Sequence, residues 1–245
     1  MNQRFRYLMC LLPMVAAIAH SSPVQAEEVQ GVVLAVKQVS VSSPVLQEVI
    51  KEVLVKEGET VKEGQLIVQL QNAKEELAVQ EAQRLVENME FVAKGAESLY
   101  KDKMGSREAA LKARTELELA KIRLAAAEVN LKEKAIRAPL SGIVVKKHKE
   151  AGEAVDRVEK LVDILDIDQV YVQFYVNSKL LTTLKEGQEI PVRIDAPINA
   201  KFPGKIDFIA PNLDPQSGLL RVKVLVDNAE HVIKAYMKGW ADFGK

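Results

Sequence analysis

The sequence predicts a mixed α and β fold: a β-sandwich in two halves, interrupted by an antiparallel α-helical hairpin and followed by a small β-barrel. Three observations carry this expectation. Residues 29–70 and 136–245 alternate apolar and polar side chains between Pro, Gly and Asn/Asp turns, as half-buried strands do. Residues 72–135 contain no proline and repeat apolar residues at spacings of three and four, the period of a helix. The segments flanking that stretch resemble each other.

The first 26 residues are expected to lie outside the fold. Arg4 and Arg6 precede a short apolar stretch, and Val24-Gln25-Ala26 offers small residues three and one positions before a cut. This reads as a signal peptide cleaved after Ala26; the other reading is an uncleaved anchor, although the run contains Pro13 and falls short of the roughly 20 residues of a span. Cys10 is the single cysteine and lies inside the apolar stretch, preceded by Met9, which does not fit a lipoprotein site. Cleavage would leave a thiol-free chain with 32 basic against 34 acidic residues. That balance gives no reason to expect nucleic acid or an anionic membrane as a partner.

Within residues 72–135, two apolar seams follow one another. The first is Ala78, Ala82, Leu85, Met89, Val92, Ala96 and Leu99; the second is Ala110, Ala113, Leu117, Ala120, Leu124, Ala127 and Leu131. Each keeps one stripe facing a partner helix. Between them, Gly105 suits the residue after a helix end and Ser106 an N-cap. Asn72 with Glu75 three residues on resembles a capping box at the start. So short a turn makes the helices antiparallel neighbours. Each helix of about 28 residues would reach about 42 Å. Twelve positive and twelve negative side chains cover this stretch, and the expectation is that its outer faces are simply solvated.

The flanking copies are explicit. Pro44, Gly58-Glu59-Thr60-Val61 and Leu66-Ile67-Val68-Gln69-Leu70 recur as Pro139, Gly152-Glu153-Ala154-Val155 and Leu161-Val162-Asp163-Ile164-Leu165, 94 or 95 residues later. Neither copy is large enough to bury a core alone, so the two must pack into one sandwich. From Val170 onward, strands at 170–176, 190–194, 206–209 and 220–226, a short helix at 178–184 ended by Gly187, and a last strand in the tail 237–243 suggest a small closed barrel.

With these features in place, residues 49–66 (Val-Ile-Lys-Glu-Val-Leu-Val-Lys-Glu-Gly-Glu-Thr-Val-Lys-Glu-Gly-Gln-Leu) resemble the first lipoyl half of HlyD-family membrane fusion proteins. Ile136-Arg137-Ala138-Pro139-Leu140-Ser141-Gly142-Ile143-Val144 resembles the second half. The resemblance implies a split lipoyl-like sandwich at 40–71 and 136–167, a coiled-coil hairpin at 72–135 and a β-barrel domain at 168–245, with residues 27–39 adding a strand. It further implies a short-form periplasmic adaptor that assembles as a homo-oligomeric ring in a tripartite efflux system. Its partners would be an inner-membrane transporter, of RND or ABC type, and an outer-membrane channel of TolC type. In that family the hairpin tip carries an Arg, a Leu four residues on and a Ser seven further, which dock on the channel. Leu99 and Ser106 keep the spacing, but Gly95 stands where the Arg would be, with Lys94 beside it. Glu48 also departs from the pattern, replacing a Gly of the first half, and the chain ends just after the barrel.

The candidate docking residues are therefore Leu99, Lys103, Ser106 and Arg107 at the tip. Leu99 and Ser106 would also be present as a seam residue and an N-cap without any partner. Residues 101–107 carry three positive charges and one negative, which would steer an acidic surface or keep a turn soluble. No enzyme and no cofactor are expected. The helical arm stands where a lipoyl carrier would present its lysine, and His148 and His231 are too few and too scattered for a metal centre. Asp166 and Asp168 are expected in a turn. The alternative reading is a periplasmic coiled-coil binding or chaperone-like protein unconnected to transport.

Overall fold

The computed structural model describes residues 28–195 and 197–244. The expected signal peptide with its cleavage after Ala26, and Cys10, lie outside these residues.

Two cores organise the β-structure, and two long strands run through both. Strand β1 (Glu28–Ser42) and β8 (Lys160–Asn177) pair antiparallel along almost their whole length. At one end they join β12 (Lys238–Asp242), β9 (Glu189–Ile194), β10 (Ala200–Leu213) and β11 (Leu219–Asp227). The order β1-β12-β9-β10-β11-β8 closes on itself through β1–β8, so no edge is left open. Alternation explains the filling: Val170, Val172, Phe174 and Val176 of β8 face Leu220, Val222, Val224 and Val226 of β11 inside the barrel. The helix expected at 178–184 is a five-residue 3-10 turn, Ser178–Thr182, opened by the Asn177 side chain, which accepts from the Lys179 N–H at 3.0 Å. So short a segment favours the tighter turn.

Asp166 and Asp168, expected in a turn, sit inside continuous β8 where it passes from one core to the other. The β1–β8 register shifts there, between the Ala35 and Lys37 pairings. The Asp168 N–H reaches the Asp166 carboxylate at 3.3 Å, so the irregularity is a bulge and not a reversal.

At the other end the duplicated segments interlock. Copy one supplies β2 (Glu48–Val53), β3 (Thr60–Val61) and β4 (Leu66–Leu70); copy two supplies β6 (Gly142–Lys147), β7 (Ala154–Val155) and the start of β8. Pairing is reciprocal: β2 of the first copy pairs with β7 of the second, and β3 of the first with β6 of the second. Even single bonds repeat, with Gly58 N–H on the Val144 carbonyl and Gly152 N–H on the Ile50 carbonyl, both at 2.8 Å. The second core forms between the copies, from Ile50, Val61, Ile67, Val144, Val155 and Ile164 among others.

The copies part at one turn. Gly64 takes φ +80°, and its counterpart 94 residues on, Val158, is held at φ +68°. A β-branched residue is strained in that region, and Val158 is 75% exposed, so its side chain gains little packing in return. Val158→Gly is expected to raise the unfolding free energy by about 1 kcal/mol, read from the urea midpoint.

Between β4 and β5 (Ala135–Arg137) the chain leaves the sandwich as α1 (Ala73–Lys101) and returns as α2 (Arg107–Glu133). Because β4 and β5 are adjacent in the sheet β5-β4-β2-β7, the two helices start and end side by side.

Candidate functional site: the helical arm

The second seam lies where the sequence places it. Ala110, Ala113, Leu117, Ala120, Leu124, Ala127 and Leu131 are all buried or half-buried against α1. The first seam is displaced by one residue at two positions. Val79, Ala82, Leu85, Val86, Met89, Ala93 and Ala96 are half-buried, whereas Ala78, Val92 and Leu99 are exposed. Both stripes keep the spacing of three and four, and the position of α2 selects one of them.

Local chemistry explains the two ends. Asn72 forms no cap on α1; its amide donates instead to Glu76 at 2.7 Å, and the capping box is absent because Glu75 is engaged elsewhere. At the tip, the Lys103 N–H bonds the Tyr100 carbonyl at 3.1 Å and the Met104 N–H bonds the Leu99 carbonyl at 2.8 Å. This pair of bonds is a Schellman closure, and the residue in the left-handed conformation is Lys103, at φ +60°, not Gly105. Gly105 serves closeness: a Cβ there would stand 3.1 Å from Leu99 Cβ. Ser106 is the expected N-cap, its hydroxyl accepting from the Ala109 N–H at 3.1 Å. Lys103→Gly should relieve the left-handed strain and stabilise the arm by about 0.5–1 kcal/mol, measured by thermal melting.

The four candidate docking residues thus gather at one end of the arm, each with a local part in its architecture. Leu99 is 48% exposed and caps α1 with its carbonyl; Lys103 and Ser106 form the turn. Arg107 opens α2 and lines a groove along one side of the hairpin with Glu97, Tyr100 and Leu111. Of the tip cations, Lys101 is paired with Glu97 at 2.8 Å, which holds that carboxyl below its ordinary range. Lys103 and Arg107 meet no carboxylate among the described residues. Gly95 lies on the exposed side of α1 with open space around it. Gly95→Ala should stabilise the helix by about 1 kcal/mol, visible as a higher melting temperature.

The outer faces are less polar than expected. Leu111, Ile122 and Val129 are exposed on α2 at spacings of eleven and seven, which return to one face, and Phe91 on α1 is 79% exposed.

Sequence reasoning missed the root of the arm. The Lys134 side chain is only 9% exposed, and its ammonium contacts Glu48 at 3.0 Å and Glu75 at 3.1 Å. Burial works against its charge, but the hydrogen bonds to Glu48 and Glu75 prevail and hold its pKa above the ordinary lysine value. A signal was present: continuing the second seam three residues past Leu131 lands on Lys134, and stepping back four from Val79 lands on Glu75. His148 and His231, for their part, each meet one carboxylate, Asp163 at 2.8 Å and Asp168 at 2.7 Å. No helix among the described residues is long and apolar enough to cross a membrane.

Comparisons with known proteins agree on this architecture. Residues 36–166 match the model for the CzcB-like barrel-sandwich hybrid domain, and residues 169–244 that for the CusB-like β-barrel domain. The nodulation protein NolF of Rhizobium meliloti is 22% identical over 91% of this chain and 69% of its own length. The cation efflux system protein CzcB of an Alcaligenes strain is 24% identical over 76% of this chain, which spans only 39% of that relative. Among solved structures, a MacA–MexA chimera carrying the Pseudomonas aeruginosa MexA α-hairpin superposes with a TM-score of 0.78 at 21% identity, covering 89% of this chain and 81% of that one. The membrane fusion protein Spr0693 of Streptococcus pneumoniae gives 0.70 at 18% identity, over 88% and 97%. A hairpin inserted between reciprocal sandwich halves, a barrel threaded by the same two strands, and family models matching both β-parts lead to one conclusion: the chain belongs to the membrane fusion protein family of efflux adaptors, with a CzcB-like barrel-sandwich hybrid domain and a CusB-like β-barrel.

Proposed function

We propose that this chain is a periplasmic adaptor that links an inner-membrane efflux transporter to an outer-membrane channel, with several copies side by side. The observation that carries the reading is the arm itself. Two helices of 29 and 27 residues leave the sandwich at one place, and beyond each other they pack on the β-structure essentially at their root. Yet their outer faces expose Phe91, Leu111, Ile122 and Val129, surface that the hairpin does not cover by itself. An arm of about 40 Å with apolar residues on its outside suits lateral contact with other helices. The tip offers Leu99 and Met104 as apolar contacts and Lys103 and Arg107 as cations that meet no carboxylate among the described residues, the combination that would meet a channel end bearing carboxylates.

Crosslinking in cells tests this. Met104 is exposed and only its backbone takes part in the closure of α1, so its side chain is a better probe site than the N-cap hydroxyl of Ser106. Met104→Cys in a Cys10→Ser background, labelled with a photoactivatable thiol reagent, should capture an outer-membrane channel protein. An exported, folded protein that captures none would overturn the docking role and favour a binding protein outside transport.

A further inference from the structure

We propose that Lys134, held between Glu48 and Glu75, is a positioning residue that fixes the direction in which the arm leaves the sandwich. The arm is joined to the β-structure at two neighbouring points, Gln71-Asn72 after β4 and Lys134 before β5. β4 and β5 are paired strands, so these two joints define a hinge line and leave rotation about it to be restrained by something else. Strand order is β5-β4-β2-β7, which puts the start of β2 on the far side of β4, off that line. Glu48 is the first residue of β2, and Lys134 reaches it at 3.0 Å while also contacting Glu75 in the first turn of α1 at 3.1 Å. One ammonium thus joins the end of α2, the beginning of α1 and the third strand of the sheet.

Backbone bonds anchor the same lysine. Its carbonyl accepts from the Leu70 N–H at 2.9 Å and the Gln69 side-chain amide at 3.1 Å. These hold the joint to β4, and the Gln71 N–H on the Val49 carbonyl at 2.9 Å extends the β4–β2 ladder up to it. They belong to the hinge, whereas the ion pair to Glu48 ties a helix side chain to a strand beyond it. Register of the two helices does not need this layer, because the short turn at residues 102–106 already sets it. What remains for a buried charge at the root is orientation. Leverage makes that consequential: a 29-residue helix is about 43 Å long, so a swing of about 10° at the root moves the tip by about 7 Å.

The inference rests on the arm's docking role only for its importance; its test needs no partner, so the two can fail separately. In the full chain with Cys10→Ser, spin labels at Lys112→Cys on the arm and Lys146→Cys on β6 report the arm-to-sandwich distance by pulsed electron resonance. Lys134→Met, and separately Glu48→Ala, should widen the distance distribution on the order of twofold or displace it by several ångströms, with helix content kept. Glu75→Gln, which leaves the link to the sandwich, should change it less. If Lys134→Met fails to fold, Glu48→Ala decides. A folded Glu48→Ala protein with the parental distribution overturns the proposal.

Discussion

Lys134→Ala is expected to lower the free energy of unfolding by about 3 kcal/mol, one of the largest losses available to a single charged side chain in this protein. The ammonium stabilises little by attraction alone, because removing it from water costs most of what the two carboxylates return. Its removal is another matter. Glu48 and Glu75, each only about a quarter exposed, would be left facing one another without a counter-charge, and the lost γ, δ and ε methylenes of Lys134 would leave a void among them. Lys134→Met, which keeps the volume, should cost less, and the difference between the two variants in urea unfolding separates packing from charge. The pH dependence has a definite sign. With the folded-state pKa raised, the stabilisation is fully present below the ordinary lysine value and is lost as pH rises through the raised one. Parental protein and Lys134→Met should therefore differ by a constant amount through neutral pH and converge only above about pH 10.4.

The position of this lysine shows where the sequence was legible and where it was not. In α2 a single stripe of Ala and Leu is available, and the structure uses it. In α1 the apolar residues come as adjacent pairs, Ala78-Val79, Leu85-Val86, Val92-Ala93 and Leu99-Tyr100, so two stripes satisfy the same period. Only the placement of α2, a tertiary fact, selects Val79 over Ala78 and Ala93 over Val92, while Leu85 and Val86 are both half-buried. At the last pair the seam has run out, with Leu99 48% and Tyr100 44% exposed. At the root, the seam ends in charged residues, and a search for apolar periodicity stops one layer short of Glu75 and Lys134. Glu48 stood out as a departure from the family pattern, and its partner explains the departure: a glycine there would leave Lys134 with one carboxylate.

Duplication was the most legible feature, since identical turns need similar residues in both copies. Its exception was invisible from spacing, because nothing in the string Asp156-Arg157-Val158-Glu159 announces that Val158 must adopt the conformation of Gly64. Strand β1 was foreseen only as a possible addition at 27–39. It proves to thread both cores, and its alternation could not show this, since residues facing either core look alike in sequence.

Gly142→Val should cost about 3 kcal/mol or more and release the interlock between the sandwich halves. Gly142 begins β6 and pairs with Val61 of β3, one of the two reciprocal contacts between the copies. A Cβ at this position would stand 2.4 Å from the Leu165 carbonyl oxygen and 2.8 Å from its carbon, both backbone atoms of β8. No rotamer change relieves such a clash, so β6 must move away from β8. That displacement opens the core where Val144 and Ile164 are fully buried, and it weakens the Gly58 N–H bond to the Val144 carbonyl. Because β8 continues into the barrel while β6 does not, the damage should stay on the sandwich side. Hydrogen exchange should therefore rise at Gly58, Val61 and Val144 well before it rises at Val172 and Val224 of the barrel core. Uniform loss of protection across both cores would show instead that β1 and β8 couple the two parts into one cooperative unit.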